Sequence, residues 1–333
     1  MMPDAEIGVV GAGAWGSALA QMLSCDGRDV LLWAREPELV EAINRDRRNP
    51  LFLPSATLAP SIRATGDLAE LATLPILLMV TPAQYLGRTL RALPGFAGDL
   101  VLCAKGIEAG SAKNSGRLMA DVARDASPVA QLAVLSGPTF AHEVAAGLPT
   151  AVTLACAHGE PQWQRLSDAI ARPQFRPYYS DDMIGTEIGG AVKNVLAIAC
   201  GVVDGLRLGQ NARAALIGRG FAEMQRFGLA LGAQAETLAG LSGLGDLVLT
   251  CSSTASRNFS LGKALGEGAC AATVLAGRTT VAEGAFTAPV LAQIARAHGV
   301  SMPIVDAVEA LLAGAMPATE MVTVLLARPL RAE

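Results

Sequence analysis

The first half of the chain alternates between short runs of apolar residues and longer amphipathic segments. Residues 76–80 and 100–103 contain no charged or hydroxyl side chain, which is typical of strands in a parallel sheet that is covered on both faces. Similar strand patterns occur at residues 6–10, 29–33, 62–65, 132–135, 151–155 and 175–179. Because helical patterns separate most of these runs, we expect an α/β fold with an extended, mostly parallel sheet.

The alternation of strand and helix patterns ends at residue 182, and no strand pattern follows. Helical patterns then cover residues 184–204, about 211–232 and several shorter segments up to residue 327. We therefore expect two domains, an α/β domain at 1–182 and an all-α domain at 183–333. In the first domain the predicted helices include 37–47, 84–92, 111–124 and 161–171, and residues 47–60 are predicted to form an irregular loop.

The most apolar of the predicted helices contains a lysine. Between residues 188 and 203 only Lys193 and Asn194 carry a polar side-chain group. Gly189 and Gly190 open this run, and glycines in a helix indicate that another backbone packs closely there. A buried ammonium group needs a partner or a lowered pKa, so Lys193 is either a member of a structural ion pair or a working amine. A membrane span is not expected, because the run is short and its charge is central.

A glycine pattern follows the first strand directly. Gly11, Gly13 and Gly16 stand between that strand and an Ala/Leu-rich helix that runs to about residue 25. This is the setting of a Rossmann dinucleotide-binding turn, in which the helix N-terminus meets the pyrophosphate of NAD(P). The alternative is a glycine turn that only packs tightly.

The end of the second strand bears on the choice of nucleotide. An acidic residue there holds the ribose 2′-hydroxyl of NAD, whereas an arginine suits the 2′-phosphate of NADP. Arg35 comes first here and Glu36 follows. We therefore expect a preference for NADP(H), with NAD(H) as the other cofactor, unless Arg35 is a solvated loop charge.

Two later strands also end in polar turns. Lys105 follows the strand at 100–103, and Gly137 and Thr139 follow the strand at 132–135. Ligands of open parallel sheets bind beyond the carboxyl ends of the strands. These residues are therefore candidates for contact with a ligand, with a surface position as the alternative for Lys105. His142, which stands beside an acid, is expected to be structural or exposed.

The helical part contains one dense polar cluster, at residues 241–258. A turn with two glycines precedes Asp246, which is placed to cap a helix. Ser256, Arg257 and Asn258 offer donors at a second helix start. Arginine with neighbouring hydroxyl and amide donors suits a phosphate, and two capped helices with a solvated arginine are the alternative.

Composition narrows the class of protein. The 333 residues include 26 basic and 30 acidic ones, a net charge of −4, without a basic run that would suit nucleic acid or a membrane surface. The six cysteines are scattered, without a CxxC pair or a histidine cluster. This pattern favours reduced thiols in the cytoplasm over a disulfide framework or a zinc site. We also expect no signal peptide, because no charged region followed by an apolar run opens the chain.

Six motifs in order give the chain a family resemblance. GAGAWG, CAKGIE, SGPTFAHEVAAGLPTA, IGGAVKNVLAIACGVVDGL, LSGLGDLVLTC and SRN together resemble the bacterial-type NAD(P)-dependent glycerol-3-phosphate dehydrogenases. The likeness extends from the first strand to about Glu283. It implies hydride transfer between NAD(P)H and dihydroxyacetone phosphate, giving sn-glycerol 3-phosphate for phospholipid synthesis. Members of this family often form homodimers, and the sequence shows no cluster of metal ligands, so we expect no metal.

The resemblance also assigns residues. It implies that Lys193 transfers the proton and that Lys105 lies beside the reacting end of the substrate and the nicotinamide. The implied substrate positions are Lys105, Gly137, Thr139, Lys193, Asn194, Asp246, Thr250, Ser256, Arg257 and Asn258. The implied cofactor positions are Gly11, Gly13, Ala14, Trp15, Gly16, Arg35, Lys105, Ala141, Arg257, Val281 and Glu283.

The chemistry of the implied reaction agrees with these positions. Hydride addition to a ketone leaves an alkoxide, so the site needs a proton donor and positive charge at that oxygen. Burial and the second cation, Lys105, are expected to lower the pKa of Lys193. Asp246 and Asn194 are expected to fix the direction of its amine.

Two other functions agree with part of the pattern. A related two-domain dehydrogenase of another hydroxy acid would share the glycine turn and a helical lysine, and the SRN segment argues against it. A nicotinamide-sensing regulatory protein would need the glycine turn alone. The two lysines and the phosphate-like cluster argue against such a sensor.

Overall fold

The chain is described by a computed structural model for residues 6–93, 95–110, 116–277 and 281–327. It divides into two compact units. The first comprises Met1–Ala104 and Leu118–Thr186, and the second comprises Lys105–Arg117 and Glu187–Glu333. The short segment that carries Lys105 thus belongs to the same unit as Lys193.

The first unit is built on an eight-stranded sheet with a separate two-stranded ribbon. The strands are β1 (Ile7–Val10), β2 (Val30–Trp33), β3 (Arg48–Asn49), β4 (Leu53–Thr57), β5 (Ile62–Thr65), β6 (Ile76–Met79), β7 (Asp99–Leu102), β8 (Gln131–Ser136), β9 (Thr150–Cys156) and β10 (Phe175–Ser180). The sheet has the order β10-β9-β8-β7-β6-β1-β2-β5, and its neighbours are parallel except for β8 and β9. The predicted α/β fold is confirmed, and each of its eight sheet strands lies within one residue of the predicted bounds.

The sheet separates two apolar cores. Val9 and Leu32 belong to one cluster of buried side chains, and their neighbours Val10 and Leu31 belong to the other. Successive residues of a strand point to opposite faces, so both faces of the sheet are covered. This explains why these strands are continuous apolar runs in the sequence.

The helices alternate with strands up to β10 and follow one another without strands after it, as the sequence predicted. Those of the first unit are α1 (Ala14–Leu23), α2 (Pro37–Asp46), α3 (Leu68–Leu71), α4 (Ala83–Arg91), α5 (Met119–Ala126), α6 (Ala141–Ala145) and α7 (Gly159–Ile170). Helix α8 (Met183–Gly205) begins in the first unit and continues into the second. The others are α9 (Gly209–Ala230), α10 (Ala235–Ala239), α11 (Asp246–Thr250), α12 (Arg257–Gly266), α13 (Ala271–Ala276), α14 (Glu283–Ala297), α15 (Pro303–Leu312) and α16 (Ala318–Leu326), and a π-turn covers Leu241–Gly245.

Two local predictions in the first half are wrong. Residues 48–57 were expected in an irregular loop, but they contain the β3–β4 ribbon, whose turn is closed by a hydrogen bond from the Phe52 N–H to Asn49 Oδ1. The helix expected at 111–124 begins only at Met119. Residues 111–115 lie outside the described residues, and Arg117 is extended because its backbone pairs with that of Glu108.

Helix α8 is the apolar helix that the sequence predicts around Lys193. By length and composition alone it could cross a membrane, but 89% of its most apolar 18-residue window is buried inside the protein. Such burial is typical of a core helix. The apolar run is therefore explained by packing within the chain.

Helices α8 and α12 run side by side with their backbones in contact. A Cβ atom at Gly262 of α12 would lie 1.9 Å from the carbonyl oxygen of Ile198, and one at Gly201 of α8 would lie 2.1 Å from that of Phe259. Real Cβ atoms do not approach that closely, so these positions require glycine. The contact brings Asn258, at the start of α12, alongside α8.

Candidate active site

The amine of Lys193 lies in a buried polar cluster of the second unit. Its Nζ is 2.5 Å from Asp246 Oδ1 and donates to Thr250 Oγ1 at 3.0 Å. The Thr250 hydroxyl donates to the same carboxylate oxygen at 3.2 Å. Lys193 is 6% exposed and Asp246 is fully buried. The charges are thus held in a site with little water around them.

Lys105 bonds to the other oxygen of the same carboxylate. Its Nζ lies 2.8 Å from Asp246 Oδ2, and its side chain is only 14% exposed. The alternative of a surface position for Lys105 is therefore wrong. The prediction that Asp246 caps a helix is also wrong: the residue begins α11, but its carboxylate accepts hydrogen bonds from the two lysines instead.

The pKa of Lys193 is lowered, as expected. Burial is the largest cause, and it lowers the pKa from the ordinary value of 10.5 to about 8. The Asp246 carboxylate opposes this shift, while the positive charge of Lys105 adds to it. An amine with a pKa close to the working pH can both donate and accept a proton.

The π-turn at Leu241–Gly245 places Asp246 against α8. A Cβ atom at Gly189 of α8 would lie 2.4 Å from the carbonyl oxygen of Ser242, and one at Gly243 would lie 1.9 Å from that of Leu238. The expectation that another backbone packs against the start of the apolar run is confirmed at Gly189. The π-turn itself was not predicted, although such turns often occur at functional sites.

A chain of amide hydrogen bonds joins four segments of the second unit. Asn194 Nδ2 donates to the backbone oxygen of Lys105 at 2.9 Å, and Asn258 Nδ2 donates to Asn194 Oδ1 at 2.8 Å. The N–H of Gly284 donates to Asn258 Oδ1 at 3.0 Å. These bonds hold the Lys105 segment, α8, α12 and the start of α14 in one arrangement, with Glu283 as the first residue of α14 and Val281 two residues before it.

The start of α12 presents an arginine. Ser256 caps the helix, since its hydroxyl oxygen accepts a hydrogen bond from the Phe259 N–H at 3.2 Å. Arg257 is the first residue of the helix and is exposed, whereas Asn258 is buried. The first turn of an α-helix carries partial positive charge. The side chain of Arg257 adds a full positive charge. The first turn of α12 and this arginine together favour the binding of an anion.

The glycine turn of the first unit has the geometry of a dinucleotide-binding turn. Gly11 has φ of +117°, and a Cβ atom at Gly16 would lie only 1.8 Å from the Gly11 carbonyl oxygen. A Cβ atom at Gly13 would meet nothing within 4 Å. The turn therefore needs its first glycine for the backbone conformation and its third for close packing. It leaves open space at the second, before Ala14 and Trp15 begin α1. These residues fit a pyrophosphate.

Asn49 supports this turn and was missed in the sequence. The residue is fully buried, and its Nδ2 donates to the Ala12 carbonyl oxygen and to Ser17 Oγ, both at 2.8 Å. The sequence offered only an asparagine before Pro50, in a stretch expected to be irregular. Its partner in the glycine turn is 37 residues away along the chain.

The other predicted residues of the first unit lie at strand ends. Arg35 follows β2, with a side chain that is 75% exposed and that donates to Glu36 Oε1. Thr139 Oγ1 donates to the Gly137 carbonyl oxygen at 3.2 Å, and Ala141 is the first residue of α6. His142 is exposed, which agrees with the expectation for it.

The predicted site residues thus fall into two sets. Hydrogen bonds bring together Lys105, Lys193, Asn194, Asp246, Thr250 and Asn258 in the second unit. That unit also contains Ser256, Arg257, Val281 and Glu283, and the first unit contains Gly11, Gly13, Ala14, Trp15, Gly16, Arg35, Gly137, Thr139 and Ala141. Among the described residues, no group of three or more His, Cys, Asp or Glu side chains could hold a metal ion.

Comparison with known proteins agrees with this geometry. The sequence model of the NAD-dependent glycerol-3-phosphate dehydrogenase N-terminus matches residues 6–161, and that of the C-terminus matches residues 182–323. The chain belongs to the NAD-dependent glycerol-3-phosphate dehydrogenase family. Together the two matches include the glycine turn, Lys105 and the whole Lys193 cluster.

Relatives in the glycerol-3-phosphate dehydrogenase family align along nearly the full length. A protein of Novosphingobium aromaticivorans named glycerol-3-phosphate dehydrogenase (NAD(P)+) is 75% identical over 328 residues, 98% of each chain. One of the same name from Erythrobacter litoralis is 69% identical over 329 residues, 99% of this chain and 98% of its own. The crystal structure of glycerol-3-phosphate dehydrogenase from Coxiella burnetii is 38% identical, with a TM-score of 0.90 over 97% of this chain and 98% of that one.

Proposed function

We propose that this chain catalyses the reversible, NAD(P)H-dependent reduction of dihydroxyacetone phosphate to sn-glycerol 3-phosphate, which supplies glycerophospholipid synthesis. Membership of the family and the names of the relatives support this reaction. The observation that carries it is the buried amine of Lys193, which shares the Asp246 carboxylate with Lys105. We assign proton transfer to Lys193.

In the first unit, the glycine turn fits the nucleotide. When bound, the nicotinamide supplies a hydride to C2 of the substrate. The open space at Gly13 and the first turn of α1 suit the pyrophosphate. Arg35, at the end of β2, suits a ribose 2′-phosphate, so NADP(H) is the favoured cofactor and NAD(H) the other one. The further cofactor contacts at Lys105, Ala141, Arg257, Val281 and Glu283 stay predictions.

Lys193 handles the proton at the substrate oxygen. An ammonium group has three N–H bonds, and within the described residues two of them point to Asp246 and Thr250. The third can reach the oxygen on C2, which becomes an alkoxide when the hydride arrives. Lys193 donates a proton to it in reduction, and neutral Lys193 accepts the hydroxyl proton in oxidation. Lys105 adds positive charge that stabilises the alkoxide.

The substrate phosphate is assigned to the start of α12. Arg257 supplies a full positive charge, and Ser256 and Asn258 supply neighbouring polar groups. The hydrogen bond between Asn258 and Asn194 supports this assignment, because Asn194 directly follows Lys193. Gly137 and Thr139 stay predicted substrate contacts of the first unit.

A spectrophotometric assay tests the proposed reaction. The absorbance of NADPH is followed after dihydroxyacetone phosphate is added, with unphosphorylated dihydroxyacetone and NADH as parallel controls. We expect rapid oxidation of NADPH that requires the phosphate, and slower oxidation of NADH. If NADPH binds but is not oxidised with dihydroxyacetone phosphate, the substrate assignment is wrong and another hydroxy acid must be sought.

We also propose a cytoplasmic homodimer, on the strength of the family resemblance and the scattered cysteines. Light scattering of the purified protein tests the assembly. The expected mass is twice that of the 34.2 kDa chain. A mass equal to one chain at micromolar concentration would contradict the dimer.

A further inference from the structure

Two buried hydroxyl groups at the carboxyl ends of strands lack hydrogen-bond partners. Thr81, shortly after β6, is 6% exposed, and Ser136, the last residue of β8, is 3% exposed. Within the described residues, neither Thr81 Oγ1 nor Ser136 Oγ has a hydrogen-bond partner. Buried polar groups are nearly always paired, because an unpaired one destabilises the fold. The two hydroxyls therefore indicate a partner that the chain itself does not supply.

The two residues lie at the same edge of the sheet. Met79 of β6 is in register with Leu102 of β7, which is in register with Val134 of β8. Thr81 and Ser136 each follow their own strand's member of this row by two residues. Both therefore stand at the carboxyl edge, where open parallel sheets bind their ligands.

The order of the strands indicates which half of a dinucleotide this part of the edge receives. Strands β5, β2 and β1 lie on one side of the point where the order reverses, and β6, β7 and β8 lie on the other. This is the arrangement of the two mononucleotide-binding halves of a Rossmann domain, and the adenosine ribose lies at the end of β2. A Cβ atom at Gly11 would lie 3.2 Å from the backbone nitrogen of Thr81. Thr81 therefore adjoins the glycine turn on the side away from the adenosine.

We propose that the hydroxyls of Thr81 and Ser136 bind the nicotinamide half of NAD(P)H, that is, the nicotinamide carboxamide and its ribose. The inference deepens the proposed function and rests on it. A hydroxyl both donates and accepts hydrogen bonds, and the carboxamide and the ribose hydroxyls offer both kinds of partner. A rotation of about 120° about the Cα–Cβ bond redirects either hydroxyl without movement of the backbone.

Two other buried groups support this interpretation. Trp15, which the family resemblance implies as a cofactor position, also has a buried nitrogen, Nε1, without a hydrogen-bond partner among the described residues. Ser127, which follows α5 and lies away from the carboxyl edge, is 8% exposed, but its hydroxyl donates to the Phe96 carbonyl oxygen at 3.1 Å. Burial alone thus does not leave a serine hydroxyl unpaired in this unit.

Thr81→Val and Ser136→Ala test the inference, with Ser127→Ala as the matched control. Isothermal titration calorimetry of the full-length chain, without substrate, gives the Kd of NADPH and of adenosine 2′,5′-bisphosphate. The bisphosphate retains the adenosine half of NADPH and lacks the nicotinamide half.

The two ligands should respond differently. For Thr81→Val and for Ser136→Ala we expect the Kd of NADPH to rise by about fivefold, the effect of one lost hydrogen bond. The Kd of the bisphosphate should stay within about twofold of that of the unmodified chain. For Ser127→Ala both Kd values should stay within about twofold.

Urea unfolding without nucleotide gives a second measurement. An unpaired hydroxyl does not stabilise the free chain, so the urea midpoint of Thr81→Val and of Ser136→Ala should not fall. Ser127→Ala removes a paired hydroxyl, so its midpoint should fall. A fall in Thr81→Val or Ser136→Ala as large as that in Ser127→Ala would show that the hydroxyl is paired within the chain, and would overturn its assignment.

The outcomes separate this inference from the proposed function. If the unmodified chain binds NADPH and a variant binds it equally tightly, the assignment of that hydroxyl is wrong and the proposed function stands. Equal weakening of NADPH and of the bisphosphate would also overturn the inference, because the hydroxyl would not act on the nicotinamide half. If the unmodified chain does not bind NADPH, the proposed function fails and the inference fails with it.

Discussion

At the scale of single residues, the proposed chemistry depends on one carboxylate that accepts hydrogen bonds from two lysines. Asp246 accepts a hydrogen bond from Lys193 on one oxygen and from Lys105 on the other. The three groups therefore carry a net positive charge when both amines are protonated. A developing alkoxide is stabilised at such a site, and the burial of Lys193 keeps water from screening the charge.

The pH dependence of the two directions should report the lowered pKa of Lys193. Oxidation of glycerol 3-phosphate needs the neutral amine, so its kcat should rise with pH and level off above about 8. Reduction needs the ammonium form, so its kcat should fall above about the same pH. Steady-state assays in both directions between pH 6 and 10.5 test this. Midpoints near 10.5, the ordinary pKa of a lysine, would show that burial does not lower the pKa of Lys193.

Replacement of Asp246 should disturb both lysines at once. In Asp246→Asn the carboxylate that raises the pKa of Lys193 is lost, so the midpoint of the pH profile should move to lower pH. We expect kcat for reduction at pH 7.5 to fall by about a hundredfold. Asp204→Asn is the control, because Asp204 pairs with the more exposed Lys263. An unchanged pH profile of kcat in Asp246→Asn would show that the Asp246 carboxylate does not influence the pKa of Lys193.

Arg257 should act on substrate affinity. In Arg257→Ala the KM for dihydroxyacetone phosphate should rise by about tenfold or more, because a charged contact to the phosphate is lost. Lys263→Ala is the control, since Lys263 lies on the same helix and pairs with Asp204. Equal KM values for the Arg257 variant and the unmodified chain would rule out the phosphate assignment.

Single residues differ in how far the sequence alone could identify them. Lys193 could be found because its apolar helix makes a buried charge conspicuous, and Lys105 because it follows a buried strand. The contact of Asp246 with Lys193 was expected only with the help of the family resemblance, and its bond to Lys105 was not expected, since the two lysines are 53 and 141 residues away along the chain. Local sequence made the carboxylate look like a helix cap.

At the scale of elements, the β3–β4 ribbon has a role that its sequence does not show. It carries Asn49, whose amide holds the glycine turn through Ala12 and Ser17. The segment reads as an irregular loop because it contains three prolines, at positions 50, 54 and 60. Proline is tolerated in a short ribbon outside the main sheet, so the ribbon forms despite this composition.

Removal of the Asn49 amide should weaken nucleotide binding in general. In Asn49→Ala the glycine turn loses two buried hydrogen bonds, and we expect the Kd of NADPH and of NADH to rise together by about tenfold. Asn44→Ala is the control, because Asn44 bonds to the backbone of Ala64 and not to the turn. Calorimetric titration would contradict this role if both variants bound the nucleotides equally well.

The contact between α8 and α12 should tolerate no side chain. Gly262→Ala would place a Cβ atom 1.9 Å from the Ile198 carbonyl oxygen, so we expect the free energy of unfolding to fall by about 2 kcal/mol or more. Gly218→Ala is the control, because a Cβ atom there meets nothing within 4 Å. It should raise the stability of α9 by up to about 1 kcal/mol.

Urea denaturation measures both variants. Equal stabilities for Gly262→Ala and Gly218→Ala would show that the close contact is relieved without cost. The sequence indicated the backbone contact at Gly189 of α8, but the second contact, through Gly201 and Gly262, was not anticipated. Gly201 and Gly262 are 61 residues apart along the chain, and nothing in the sequence near either glycine indicates that the two lie in contact.

At the scale of the whole molecule, the fold follows from the hydrophobic pattern. Continuous apolar strands predicted a sheet with two covered faces, and the structure has a core on each face. The division of the chain into units was harder to predict, because the segment Lys105–Arg117 leaves the first unit and belongs to the second. No composition change marks that segment. Its assignment depends on contacts with residues far along the chain.

Replacement of Lys193 tests the central claim most directly. In Lys193→Ala, kcat for NADPH-dependent reduction of dihydroxyacetone phosphate should fall by about a thousandfold, because the group that protonates the alkoxide is gone. The Kd of NADPH should stay within about threefold, since the glycine turn lies in the other unit. Lys263→Ala serves as the control for loss of a lysine. Turnover by Lys193→Ala equal to that of the control would contradict the account.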